Sequence, residues 1–167
     1  WYEVHARYFG VPLFIFDTPF CHTGFAPEAK QYVRSQLNEY IEFLEGVCGT
    51  KFDYDKSMEV GKLSIEGQRL WAEVLDTAAH RPAPMSAFDA FFFLALIVTL
   101  RGTKTVVDFY TELLEEVKER VKNGISAVAN EKYRLLWDNL PVWYRLKWLS
   151  DKFASHDACL VADTYTT

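Results

Sequence analysis

The chain has 167 residues, 50% hydrophobic and 25% charged, a balance that belongs to a folded domain with a substantial core and argues against disorder. A net charge of -5 without a basic stripe argues against a general affinity for nucleic acid or anionic membrane. The widely spaced Cys21, Cys48 and Cys159 form no disulfide framework and no CxxC pair, which fits a reducing, cytoplasmic setting, and the apolar run 91–98 falls far short of the ~20 residues that a bilayer span needs.

In chain order, residues 1–9 carry a helix-like pattern that Gly10 can close, and 11–16 (VPLFIF) is a continuous apolar run of strand length ending on Asp17, Thr18 and Pro19. Pro27 opens a helix at its favoured first position. Val33, Leu37, Tyr40, Ile41, Leu44 and Cys48 recur along one face of it, so Cys48 reads as a small core residue, and Gly49 closes it. A second amphipathic stretch runs from near Asp53 until Pro82 and Pro84 stop it. Ser86 with Asp89 three residues on caps a third helix, apolar nearly all round from Phe88 to Leu100 and therefore expected to be buried. The fourth helix, 103–122, turns Val106, Tyr110, Leu113, Leu114 and Val117 inward and ends at Asn123-Gly124.

The remainder reads strand, turn, helix, strand. Residues 133–137 form a strand that breaks at Asp138, Asn139, Leu140 and Pro141, and 158–162 form a second that breaks at Asp163, Thr164 and Tyr165. The helical stretch between them has the length of a right-handed crossover, so the two strands are expected to be parallel neighbours in a βαβ unit. The fold class that follows is α/β, with a helical subdomain between the last strand of one parallel α/β domain and the first βαβ unit of a second. The expected divisions are 1–26, 27–130 and 131–167. The chain begins at Trp1 rather than Met and stops where a strand should hand over to its next helix, so it is expected to be an internal piece of a larger protein.

Ligands of open parallel sheets bind beyond the carboxyl ends of the strands, which singles out Trp137, Asp138, Asn139, Asp163, Thr164 and Tyr165 as candidate site residues. The plainer alternative is that Asp17, Asp138 and Asp163 cap helices or fix turns. Trp137 and Trp143 flank the first corner, where they either wall a planar group or pack against the helices. Cys21 beside His22 has no second Cys/His cluster at a motif spacing, so no metal site is assigned, and Cys159 reads as a core residue within a strand. The chain has no GxGxxG, Walker or GxSxG motif.

At PMSAFDAFFFLALIVTLRGT (84–103), NEKYRLLWDNLPVW (130–143) and VADTYT (161–166), preceded in order by GVPLFIFDTPF (10–20), the chain resembles subunits of the 2-hydroxyacyl-CoA dehydratase and benzoyl-CoA reductase superfamily. The likeness covers nearly all of this chain but only the middle of a family subunit. It implies two related α/β domains joined through helices, paired with a homologous second subunit, and a 4Fe-4S cluster in the full-length subunit. It further implies an ATP-hydrolysing activator protein that injects an electron, an acyl-CoA substrate, and a ketyl radical formed on that thioester. The three cysteines match no cluster motif, so the cluster ligands are expected outside this chain. The resemblance implies that residues 138, 139 and 163–165 fall in the surroundings of substrate or cluster. The leading expectation is part of a 2-hydroxyacyl-CoA dehydratase; the alternatives are one subunit of a benzoyl-CoA reductase and a non-catalytic assembly subunit.

Overall fold

Among the described residues, regular spacing of apolar side chains produces six α-helices, and two short β-rich runs produce one parallel strand pair. The computed structural model describes residues 1–22, 24 and 26–166; Thr23, Phe25 and Thr167 lie outside the described residues. The chain divides into two compact units, residues 1–54 and 55–167.

In the first unit, α1 (Tyr2–Phe9) ends at Gly10, whose N–H donates to the Ala6 carbonyl, and α2 (Pro27–Cys48) ends at Gly49, whose N–H donates to Glu45. The run 11–16, expected as a strand, is not one: it is irregular, with no ladder partner among the described residues. Strand propensity alone cannot satisfy a backbone edge; Phe14 settles on α2 instead, while Val11, Leu13, Ile15 and Phe16 stay exposed. Phe14 packs 5.3 Å from Tyr40 and 5.5 Å from Phe43, ring centre to ring centre. Asp17 is a tether to the same helix, its Oδ2 accepting from the Tyr32 hydroxyl at 2.8 Å. Cys48 is exposed and not a core residue, because α2 buries only Ala29 along its length.

In the second unit, α3 (Tyr54–Asp76) leads through a 3-10 turn (Thr77–Ala79) to α4 (Ala87–Thr99), then α5 (Lys104–Lys122). The expected cap of α4 is present. The Ser86 N–H and hydroxyl donate to Asp89 Oδ2 at 2.9 and 2.7 Å, while the Asp89 N–H reaches back to the Ser86 hydroxyl at 3.4 Å. Between α4 and α5 the chain turns at Gly102 with φ +79°, where a Cβ would stand 2.5 Å from Val60 Cγ1, so only glycine allows this approach to α3.

Beyond α5 come β1 (Tyr133–Trp137), a 3-10 turn (Trp143–Arg145), α6 (Leu146–Ala154) and β2 (Ala158–Asp163). The strands are parallel neighbours. Their register runs Tyr133 with Ala158 through Leu135 with Leu160, then shifts by one residue so that Leu136 faces Ala162 and Trp137 faces Asp163. The shift leaves Val161 as the extra residue of β2. At the opposite end, Arg134 ion-pairs with Glu131 and donates to the carbonyls of Ala78 and His80, while Glu131 accepts from the Ala83 N–H at 2.8 Å. This clamp fixes the 78–83 loop against the entry to β1.

Two apolar cores share α4. Its Ala90 and Ile97 join Leu70, Trp71, Val74, Val106, Tyr110 and Leu114 of α3 and α5, while its Ala87, Phe88 and Phe91 pack with Leu146 of α6 and Leu160 of β2. The expectation that α4 is buried all round is corrected by Phe92 and Val98, which are 62% and 70% exposed: two cores cover two sides of the helix and leave a third bare.

Tyr110 is fully buried, and its hydroxyl donates to the Phe93 carbonyl at 2.8 Å and accepts from the Ile97 N–H at 3.2 Å. One side chain of α5 thus bridges both ends of a single helical rung in α4. Removing the hydroxyl takes a hydrogen bond from each of two backbone groups in the core, so Tyr110→Phe is expected to cost about 1–3 kcal/mol, read as a lowered denaturation midpoint with an unchanged slope.

Candidate functional site

Both strand ends meet through one hydroxyl. Thr164 donates its Oγ1–H to Asp138 Oδ1 at 2.8 Å and accepts from the Asn139 N–H at 2.9 Å, and its own N–H donates to the Trp137 carbonyl at 3.1 Å. Asn139 adopts the left-handed conformation, φ 74°, which asparagine tolerates better than most residues, and turns the chain away from β1. Trp137 is half-buried, and its indole N–H donates to Leu140 at 3.2 Å. All six sequence-derived candidates therefore lie in one corner at the carboxyl ends of the two strands.

The two carboxylates there differ. Asp163 is 5% exposed and fully engaged: Oδ1 accepts from the N–H groups of Tyr165 and Thr166 at 2.8 and 2.6 Å, and Oδ2 from the Thr166 hydroxyl at 2.7 Å. That is the bonding of a turn fixed by an aspartate side chain, and it gives Asp163 a structural task. Asp138 is exposed, with Thr164 on Oδ1 and no hydrogen bond to Oδ2 among the described residues. Of the two, it is the carboxylate that can still meet a ligand.

Around the corner, Trp143 and Tyr165 stand 5.7 Å apart with edge-to-face geometry, and each stands edge-on to Phe91 of α4, at 6.3 and 6.4 Å. The Thr166 carbonyl accepts from the buried Trp71 indole N–H of α3 at 3.0 Å. That bond draws the end of β2 against the helices and borders a cleft of about 560 Å3 whose walls are Trp71 and Leu75 of α3 and Leu94, Ile97 and Val98 of α4, with Tyr165 and Thr166 beside them. Gln68, Asp76 and Arg101 supply its polar groups. A smaller recess of about 180 Å3 shares Leu75, Asp76 and Thr166 with it and reaches Ser86 and Asp163. Sequence reasoning missed the cleft because it depends on a contact between Trp71 and Thr166 that no local pattern announces.

The thiols do not fit a 4Fe-4S cluster, which takes several convergent thiolates. Cys21 and Cys48 are exposed in the first unit, Cys159 is buried in the second, and among the described residues no group of three His, Cys, Asp or Glu side chains could hold a metal ion. Burial, reinforced by the Glu131 carboxylate, pushes the Cys159 thiol up to about 11.

The chain belongs to the 2-hydroxyglutaryl-CoA dehydratase, D-component family, whose model matches residues 1–167. It is 36% identical over 157 residues to the (R)-2-hydroxyisocaproyl-CoA dehydratase alpha subunit of Clostridioides difficile, covering 90% of this chain and 38% of that protein. It is 34% identical over 148 residues to the lactoyl-CoA dehydratase alpha subunit of Anaerotignum propionicum, covering 87% and 35%, and 28% identical over 176 residues to one of the benzoyl-CoA reductase subunits of Thauera aromatica, covering 99% and 41%. The superfamily assignment made from the sequence therefore stands, and the chain spans about two fifths of the length of these relatives. Among the described residues no helix is long and apolar enough to cross a membrane.

The Cys159 environment has a checkable consequence. Iodoacetamide is expected to label Cys21 and Cys48 in the native protein and to spare Cys159 at neutral pH, its thiolate becoming substantial only as pH nears about 11. The raised folded value also means that this thiol's contribution to stability is present below the ordinary value of 9.0 and is lost as pH rises through about 11.

Proposed function

We propose that this chain is the middle part of a subunit that removes water from a 2-hydroxyacyl-CoA, acting in a complex with a homologous second subunit. The observation that carries the reading is the match to the dehydratase D-component family over residues 1–167, joined to a strand-end corner of the kind where parallel α/β sheets bind ligands. Loss of the C2 hydroxyl and a C3 proton as water leaves an enoyl-CoA with no net change in electrons. The reading further places a 4Fe-4S cluster in the full-length subunit on ligands outside this chain, with electrons from an ATP-hydrolysing activator and a cytoplasmic location. In it, residues 27–130 bridge the segment 1–26 to an α/β domain that begins at 131. Reduction of a benzoyl-CoA ring is the second reading, favoured by the likeness to the Thauera aromatica protein.

The two are separated by assaying the full-length subunit, with its partner subunit and activator, for enoyl-CoA formed from (R)-2-hydroxyacyl-CoA thioesters and for dienoyl-CoA formed from benzoyl-CoA. Within that complex Asp138 acts on the substrate side through its open carboxylate oxygen. Asp138→Ala is expected to lower turnover more than about tenfold, or about 1.4 kcal/mol of transition-state stabilisation, with iron content and assembly near normal. Wild-type turnover by the folded variant would make Asp138 a turn residue. Loss of iron would move it to the cluster's surroundings.

A further inference from the structure

The 560 Å3 cleft is within the range of about 300–1,000 Å3 typical of small-molecule sites, and its composition is of the same kind: an apolar wall with a few polar groups. Leu75, Leu94, Ile97 and Val98 offer no hydrogen bond to whatever fills it. Gln68, Asp76 and Arg101 do, and all three are exposed. The fitting occupant is therefore a molecule that alternates apolar segments with amide and carbonyl groups. An acyl-pantetheine has that character: an apolar acyl group, a thioester carbonyl, and an arm with two amides. A guanidinium donates to carbonyl oxygens, and a glutamine side chain can pair with an amide both as donor and as acceptor.

We infer that this cleft is the acyl pocket, holding the acyl group against Leu75, Leu94 and Val98 and the polar arm near Gln68 and Arg101. The inference rests on the acyl-CoA reading above and adds where the acyl group lies and which side chains set its size. The cleft also adjoins the corner, through Tyr165 and Thr166, so a thioester seated in it lies beside the carboxyl end of β2. Val98 and Leu94 are the size-determining residues. Val98 is exposed at the wall, so enlarging it narrows the cleft without disturbing a core, and shortening the half-buried Leu94 widens it.

The test uses the full-length subunit with its partner and activator and compares kcat/KM for thioesters with a short acyl group and with a bulky branched or aryl one. Val98→Phe is expected to shift the ratio toward the short substrate by about tenfold or more, and Leu94→Ala to shift it toward the bulky one. An unchanged ratio in both variants, with normal yield and melting temperature, overturns the inference and leaves the function reading standing. A sharp loss of folded protein on Val98→Phe also overturns it, because the cleft is then filled by another part of the protein. Should the wild-type complex turn over no CoA thioester, the function reading fails separately. Equilibrium dialysis of S-butyryl pantetheine then decides: binding abolished by Val98→Phe sustains a pocket for acyl-pantetheines, and absence of binding to the wild type ends it.

Discussion

A helix that is apolar on most of its circumference must be covered on more than one side, and α4 answers that demand by standing in two cores at once. Phe88 and Phe91 hold the strand pair and α6, and Ala90 and Ile97 hold α3 and α5. Burying a side chain of this size contributes about 1.5–3 kcal/mol, so a helix that does so repeatedly couples the two halves of the unit strongly. The strand pair depends on this, since two strands alone are at best marginally stable in water. The place where β2 ends, and hence the place where Tyr165 and Thr166 meet α3, follows from how α4 is seated.

The corner itself shows how a short polar segment can combine structural and chemical duties. Asp163 spends every hydrogen bond on the backbone and hydroxyl that follow it, and Thr164 spends its hydroxyl on joining the two strand ends. What remains available includes one oxygen of Asp138, the side-chain amide nitrogen of Asn139 and the exposed parts of Trp143 and Tyr165. The one-residue shift in the β1–β2 register brings Trp137 opposite Asp163, so the last paired residues of both strands stand at the same level.

The helices, both strands and the α4 cap were legible because each is written locally: apolar residues at three- and four-residue spacing, proline at a first turn, Ser86 three before Asp89, asparagine and glycine at the ends. The βαβ arrangement was legible from the length of its connection. VPLFIF was misread because a strand exists only with a neighbour to pair with, and a run of Val, Leu, Ile and Phe says nothing about whether that neighbour is present. Cys48, Phe92 and Val98 were misread for a related reason: periodicity identifies an apolar face but not whether something covers it. At the site, the polar corner was visible in the residues that break each strand. The cleft beside it was not, because Trp71 and Thr166 are brought together only by the seating of α4 between two cores.

The bridge made by Tyr110 across one turn of α4 has a kinetic side. A backbone amide in mid-helix is ordinarily protected from exchange by its own helix, so its opening reports local fraying. The Ile97 amide is held in part by a hydroxyl that arrives only with α5, so its exchange with solvent deuterium reports the parting of two helices. One peptide group in this helix thus serves as an internal clock for the parting of α4 from α5.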